Sequence, residues 1–236
     1  THAAANRAVG NDGGAATIEL IGGTATFVAT KALCVSIDGA ALQRVAAGDR
    51  VTLKVGERLT SYLAIAGGID VPVVLGSRST LLVAGLGGFQ GRALKAGDAV
   101  AIGEARSREG ERAELAEKWQ RPAVATLSVR RSRKDHRLPS DAFDRLLGLD
   151  CSLSATRDRV GTRFDGAKLP ARDADRSLPD PVVPGSIQVT TDGTLIALGP
   201  DAAVTGGYQV VAVLDEASRA LMGRLRPGQR VRFREA

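Results

Sequence analysis

Three times the chain repeats one short phrase: a small or proline residue, a glycine, then residues alternating apolar with polar. The phrases are Ala47-Gly48-Asp49-Arg50-Val51-Thr52-Leu53, Ala96-Gly97-Asp98-Ala99-Val100-Ala101-Ile102 and Pro227-Gly228-Gln229-Arg230-Val231-Arg232-Phe233. Each predicts a tight turn feeding a strand that buries one face. Further short strands are expected at Thr17–Ile21, Thr24–Ala29, Leu33–Ile37, Ser61–Ala66, Ala123–Val129, Ser186–Val189, Leu195–Leu198 and Tyr208–Val213. Many short strands separated by Gly, Asp and Pro point to barrels or sandwiches. Glycine makes up 28 of the 236 residues and aromatics only 3%, so the core has to be built from Val, Leu, Ile and Ala. With 44% hydrophobic and 25% charged residues, wholesale disorder is excluded.

Helical signals are fewer. Glu111–Arg121 sets Leu115 and Trp119 four apart, carries the pairs Glu114–Lys118 and Glu117–Arg121, and stops at Pro122. Ser140 is positioned to cap a helix through Leu147 closed by Gly148, and Asp215 to cap one running to Met222. The charged stretch around residues 109–121 reads as a helical linker between a first β-rich half, 1–108, and a second, 122–236. Leu169–Pro184, rich in Pro, Asp and Arg, reads as a long surface loop.

Several function classes fall away. No apolar run approaches the roughly 18 residues of a membrane span, and the first residues show no signal peptide, so a cytoplasmic protein is expected. Cys34 and Cys151, with His2 and His136, offer no metal-ligand spacing, so no metal is expected. The two thiols read as reduced and buried. Arg121 to Arg137 holds six cations against Asp135 but no aromatic for stacking, so it reads as a solvated loop and not a nucleic-acid surface. There is no Walker A loop, no Gly-x-Ser-x-Gly elbow and no amidase-type Gly-Gly-Ser-Ser-Gly. Gly85-Leu86-Gly87-Gly88-Phe89-Gln90-Gly91 misses the dinucleotide fingerprint by one residue and leads into a turn and strand, not a helix.

What remains is polar chemistry on glycine-rich turns. Gly76-Ser77-Arg78-Ser79-Thr80 and Gly87-Gly88-Phe89-Gln90-Gly91-Arg92 set arginines beside glycines, where backbone N–H groups and a guanidinium fork can converge on an anion. Arg157-Asp158-Arg159-Val160-Gly161, Pro184-Gly185-Ser186-Ile187-Gln188 and Val204-Thr205-Gly206-Gly207-Tyr208 continue the theme. Each alone is a turn before it is a site. On that plainer reading Arg159 and Arg163 pair with Asp158 and Asp165, and Tyr208 is a rim residue.

Taken in order, these blocks resemble a known family. With Ala5-Asn6-Arg7-Ala8-Val9-Gly10-Asn11, Tyr62-Leu63-Ala64-Ile65-Ala66-Gly67-Gly68-Ile69-Asp70-Val71-Pro72 and Leu225-Arg226-Pro227-Gly228, they are similar to the biotin-dependent carboxyltransferase family, whose members are also named allophanate hydrolase subunit 2 and the C-type subunit of 5-oxoprolinase. The family's Gly-Val-Pro-x-Ser-Gly opening and a Val-Thr-Gly strand near Thr30–Ala32 have no counterpart here, and Gln209 stands where Pro is usual.

The resemblance implies a mainly β fold of tandem cyclophilin-like β-barrels with a few short helices. It implies a partner of the allophanate hydrolase subunit 1 type, equivalent to the B-type subunit of 5-oxoprolinase. It further implies a third, sugar-hydrolase-like subunit, and ATP used by the complex to open 5-oxoproline. On that reading Arg78, Arg92 and Arg159 are expected as anion clamps, with Ser77 and Ser79 orienting the same groups. Gln188, Thr205 and Tyr208 are expected to polarise the amide or hold water, and the partner to supply the base. Two rivals stand beside it: carboxyl transfer from biotin in a urea carboxylase-type enzyme, and a non-catalytic module that binds a kinase-inhibitor partner.

Overall fold

The computed structural model describes residues 2–56, 58–105, 120–133, 138–171 and 179–236. The chain divides into two compact units, Thr1–Gln120 and Arg121–Ala236. Most of the expected linker helix, His136 and the middle of the Leu169–Pro184 loop lie outside the described residues. Among the described residues no helix is long and apolar enough to cross a membrane.

In the first unit, α1 (His2–Ala8) precedes six strands, β1 (Ile18–Ile21), β2 (Thr24–Val28), β3 (Leu33–Ile37), β4 (Gln43–Val45), β5 (Arg50–Lys54) and β6 (Thr60–Ile65). They form a four-stranded sheet in the order β1-β6-β3-β4 and an antiparallel β2–β5 pair. Period-two alternation decides what is buried: Val51 and Leu53 of β5 turn inward while Arg50, Thr52 and Lys54 stay out. These two, with Val35, Val45, Leu63 and Ile65 from the larger sheet, share one core. A buried amide staple joins α1 to the end of β6. Asn6 donates to the Ala15 carbonyl, and Asn11 donates to Asn6 and to the Ile65 carbonyl and accepts from the Gly67 N–H at 2.9 Å. The motif blocks that begin at Ala5 and at Tyr62 therefore hold the fold together.

The second unit is a closed barrel. Its strands are β7 (Val124–Arg131), β8 (Asp150–Arg157), β9 (Gly161–Lys168), β11 (Ser186–Val189), β12 (Thr194–Leu198), β14 (Gln209–Leu214) and β15 (Arg230–Glu235). Around the barrel the order is β11-β12-β9-β8-β15-β7-β14, antiparallel except for the parallel β15–β7 pair. The pair β10 (Asp180–Pro181) and β13 (Thr205–Gly206) stands apart as its own two-stranded sheet. Leu127, Leu153, Leu195 and Val231 fill the barrel, joined by an edge-to-face contact of Phe164 and Phe233 at 5.4 Å.

Two helices close the unit. α3 (Glu216–Met222) is capped as expected, the Asp215 carboxylate accepting from the Ser218 N–H at 2.7 Å. α2 (Ala142–Leu147) starts from Asp141, not Ser140, with no side-chain cap bond; Asp141 instead accepts from Arg145 one turn on. The half-buried Arg157 guanidinium donates to the carbonyls of Met222 and Leu225, satisfying the C-terminal end of α3.

The mainly β class stands, but four local expectations change. Ala96–Ile102 makes its turn yet no strand follows; Ile102 forms only an isolated bridge with Ile69. β8 and β9 are strands that the sequence does not announce, because Ser, Thr and charged residues occupy their outward positions and neither carries a Val or Ile. Barrel neighbours β15 and β12 impose their pairing. Arg130 and Arg131 belong to β7 and not to a solvated loop. Cys151 is buried as expected, whereas Cys34 is only partly covered.

Between Val71 and Ile102 runs a loop built on left-handed backbone. Gly91 has φ of 68°, and a methyl there would strike the Gly85 carbonyl oxygen; Gly97 has φ of 90° but open space around it. Gly91→Ala is therefore expected to lower stability by about 2–4 kcal/mol and Gly97→Ala by only about 1, read by chemical denaturation. Burial pushes the Cys151 thiol up to about 12. That keeps it protonated at neutral pH, so it should resist thiol reagents at pH 8 until denaturant is added.

Candidate functional site

The first unit's candidates sit on the loop from Val71 to Ile102. Reciprocal backbone bonds between Val74 and Ser77, at 2.8 and 3.0 Å, pinch off Leu75 and Gly76. A second bend pairs Leu81 with Leu86. Gly87 abuts the Ser79 carbonyl and Gly88 the Thr80 side chain, so the Ser77-Arg78-Ser79 and Gly87–Arg92 blocks pack into one loop structure. Only glycine permits that approach. Arg78 donates to the Val71 carbonyl and meets no carboxylate among the described residues. Ser77 accepts from the Ser79 N–H at 3.1 Å, an ST turn that exposes both hydroxyls.

Arg92 is committed differently. Its two terminal nitrogens reach the two oxygens of Asp98, each at 2.8 Å, and its guanidinium lies 5.1 Å from the Phe89 ring. Those hydrogen bonds, with one from the Lys95 N–H, hold the Asp98 carboxyl down at about 2, so the pair is ionised throughout the neutral range. The fork expected to grip a guest grips the loop's own turn.

In the second unit Arg159 shows the same pattern. It sits on the β8–β9 turn and takes Asp201 bidentately, Nε at 2.6 Å and Nη2 at 3.0 Å. Asp158, the partner expected on the plainer reading, instead accepts from the Val160 and Gly161 N–H groups. The Asp201 N–H donates to the Arg159 carbonyl, so this ion pair anchors the segment that runs on into Thr205.

Gln188 meets the Thr205–Tyr208 segment at Gly206. Gln188 lies in β11, whose four residues are all buried, and is itself only 5% exposed. Its Nε2 has no hydrogen-bond partner among the described residues. Directly over it stands Gly206, where a methyl group would come within 2.5 Å of that nitrogen, with Val182 alongside. Gly206 belongs to β13, where the exposed Thr205 precedes it with its side chain on the other face by alternation, and the half-exposed Tyr208 follows two residues later. Among the described residues β10 and β13 pair only with each other, and Gly206 sets this small flap over Gln188.

Two further residues here have no strong signature in the sequence. Asp180, expected within a surface loop, pairs with Gly206 in register and brings a carboxylate to the flap. The Gln209 side-chain oxygen is buried without a partner among the described residues; its register against Val189 turns it to the face opposite Gln188. The one available signal for it is a polar residue opening the apolar run Val210–Leu214.

Apolar side chains crowd the first unit's loop. Leu75, in left-handed backbone at φ 51°, is 92% exposed and Val83 is 82% exposed; Val73, Leu82 and Leu86 are exposed beside them in sequence. Isolated exposed leucines need no explanation, but a rigid loop carrying this many marks a surface meant to be covered.

Comparison with known proteins agrees with this architecture. The C-type subunit of 5-oxoprolinase from Escherichia coli K12 is 36% identical over 248 aligned positions, covering 97% of this chain and 78% of that protein. The crystal structure of TTHA0988 superposes with a TM-score of 0.85 at 25% identity; it takes in 99% of this chain, which spans only 48% of that one. The Kluyveromyces lactis urea amidolyase structure shares the fold, with a TM-score of 0.86 at 23% identity over 98% of this chain and 16% of its own. Residues 1–235 match the carboxyltransferase domain, subdomains A and B, and the chain belongs to that family.

Proposed function

We propose that this chain is one component of a multi-subunit enzyme that opens a small cyclic amide bearing a carboxylate, 5-oxoproline, with ATP consumed by the assembled complex. The observation that carries this reading is the Gln188 amide. A buried N–H donor without a partner costs about 1–3 kcal/mol, and an apolar residue in β11 would avoid that cost. A lactam carbonyl set against Nε2 recovers the bond and is polarised by it, and the donor strengthens as negative charge develops on the oxygen. Thr205 and Tyr208, on the segment that carries Gly206, are the hydroxyls assigned to the ring nitrogen or a water. Arg159 acts here as a positioning residue, through Asp201.

In the first unit Arg78, which has no carboxylate partner among the described residues, is the arginine suited to an anionic group, with the Ser77 and Ser79 hydroxyls nearby in sequence. Arg92 would have to leave Asp98 to serve in that way. No described element of this chain fits an ATP phosphate chain, since the Gly87–Gly91 bend does not open a helix. No step is therefore routed through ATP on this polypeptide. The nucleotide and the general base are assigned to partners, one of the allophanate hydrolase subunit 1 type and one sugar-hydrolase-like. The exposed Leu75–Leu86 surface supports the need for a partner, as does the Escherichia coli relative's being named a subunit.

A second reading, transfer of a carboxyl group from carboxybiotin, is favoured by the family's own description and by the urea amidolyase likeness. The ureido carbonyl of biotin would meet Gln188 as a lactam does. Reconstituting the chain with its partners, ATP and 5-oxoproline separates the two. Gln188→Leu should lower kcat/KM for glutamate formation by about 10²–10³ while leaving stability equal or higher by ~1 kcal/mol. Arg78→Ala should lower kcat/KM about tenfold through the first unit's own contact with an anionic group. Glutamate formed at wild-type rates by both variants overturns the assignments. Turnover that requires a biotin carrier, with no ring opening, selects the second reading.

A further inference from the structure

The outward face of β15 and β7 is an arginine array that the reading above leaves unused. Alternation in β15 buries Val231 and Phe233 and sends Arg230, Arg232 and Arg234 to the outside of the barrel. Alternate residues on one strand stand about 6.6–6.8 Å apart, so these three like charges repel along the row. Parallel pairing sets Arg234 beside Ser128 of β7, and Arg130 follows two residues further along that strand. One neighbouring carboxylate, Asp150 of β8, is shared by Arg230 and Arg232, which remain 56% and 59% exposed. Arg234 donates only to the Ser128 hydroxyl, at 3.0 and 3.2 Å. The Arg130 side chain makes no hydrogen bond to any described residue, and the nearby Asp215 is occupied in capping α3. Four cations thus face two carboxylates, one of them already engaged by a helix end.

We infer that this face docks an acidic protein surface, whose carboxylates take the open forks of Arg234 and Arg130 and whose donors meet Asp150. The choice of residue supports this. All four cations are arginine, which interfaces favour for its planar, bidentate, weakly hydrated head, and none is lysine, which interfaces avoid. A nucleic acid fits less well: Phe233 is buried and no aromatic stands among these residues for bases to stack on. The inference stands on the second unit's surface alone and is independent of the substrate reading.

The test titrates the full chain with two labelled probes of equal length, a 20-residue poly-glutamate and a 20-residue oligothymidylate, by fluorescence anisotropy at low and at 0.3 M salt. Poly-glutamate should bind at low salt and weaken at high salt. Arg130→Ser with Arg234→Ser should raise its Kd about tenfold, whereas Arg44→Ser with Arg50→Ser, removing as much charge from exposed positions of the first unit, should change it less than twofold. Asp150→Asn should tighten binding severalfold and decides the matter even if the double variant fails to fold. Equal loss in both double variants, no response to Asp150→Asn, or tighter binding of oligothymidylate through the same arginines would overturn the inference.

Discussion

Closure of the second sheet on β11 governs the rest of the structure. β11 has a partner on each side, β12 and β14, and packed atoms on both faces, so all four of its residues leave water. A strand so placed normally reads as a continuous apolar run. Ser-Ile-Gln-Val does not, and its two polar residues meet different fates. The Ser186 hydroxyl finds the Val183 N–H at 3.2 Å. The Gln188 nitrogen finds nothing, because the residue above it is a glycine with no polar side chain to offer. The absence of a Cβ at Gly206 is what lets the flap approach β11 and close over the donor. A bulge between Ile187 and Gln188 against β14 marks the point where regular pairing yields to this arrangement.

The arginines teach the opposite lesson. A guanidinium beside a glycine bend is equally suited to a guest and to the bend's own carboxylate. Arg92 chooses Asp98, six residues on, and Arg159 chooses Asp201, 42 residues on, just past the end of β12. Both pairs are partly exposed, so each contributes modest stability and acts chiefly by fixing loop geometry. The first tightens the Gly87–Arg92 loop and the second holds the segment that leads into the flap. Preorganisation of this kind shows no sign in composition or charge.

How much is legible in the sequence follows from range. Leu33–Ile37 and Ser186–Val189 can be read to the residue, because Val and Ile with flanking Gly or Asp specify a strand locally. The Asp215 cap is legible for the same reason, its bond spanning three residues. β8 and β9 are not, since their strand character is conferred by neighbours distant in the chain. The grouping of Gln188 with Thr205 and Tyr208 is visible only as an ordered set of motif blocks. That Nε2 is the unpaired atom, and that Asp180 joins the flap, depends on pairing between β10 and β13 that no spacing rule supplies.

The central claim is that the fold keeps one amide nitrogen unsatisfied for a substrate carbonyl. Its most direct test is the side-chain NH2 signal of Gln188 in ¹⁵N–¹H spectra of the chain assembled with its partners, assigned through the signal lost in a Gln188 variant. On titration with 5-oxoproline the account predicts a saturable downfield shift of one Gln188 proton, as a new hydrogen bond forms. A Gln188 signal that stays in place while the complex saturates with 5-oxoproline would contradict it.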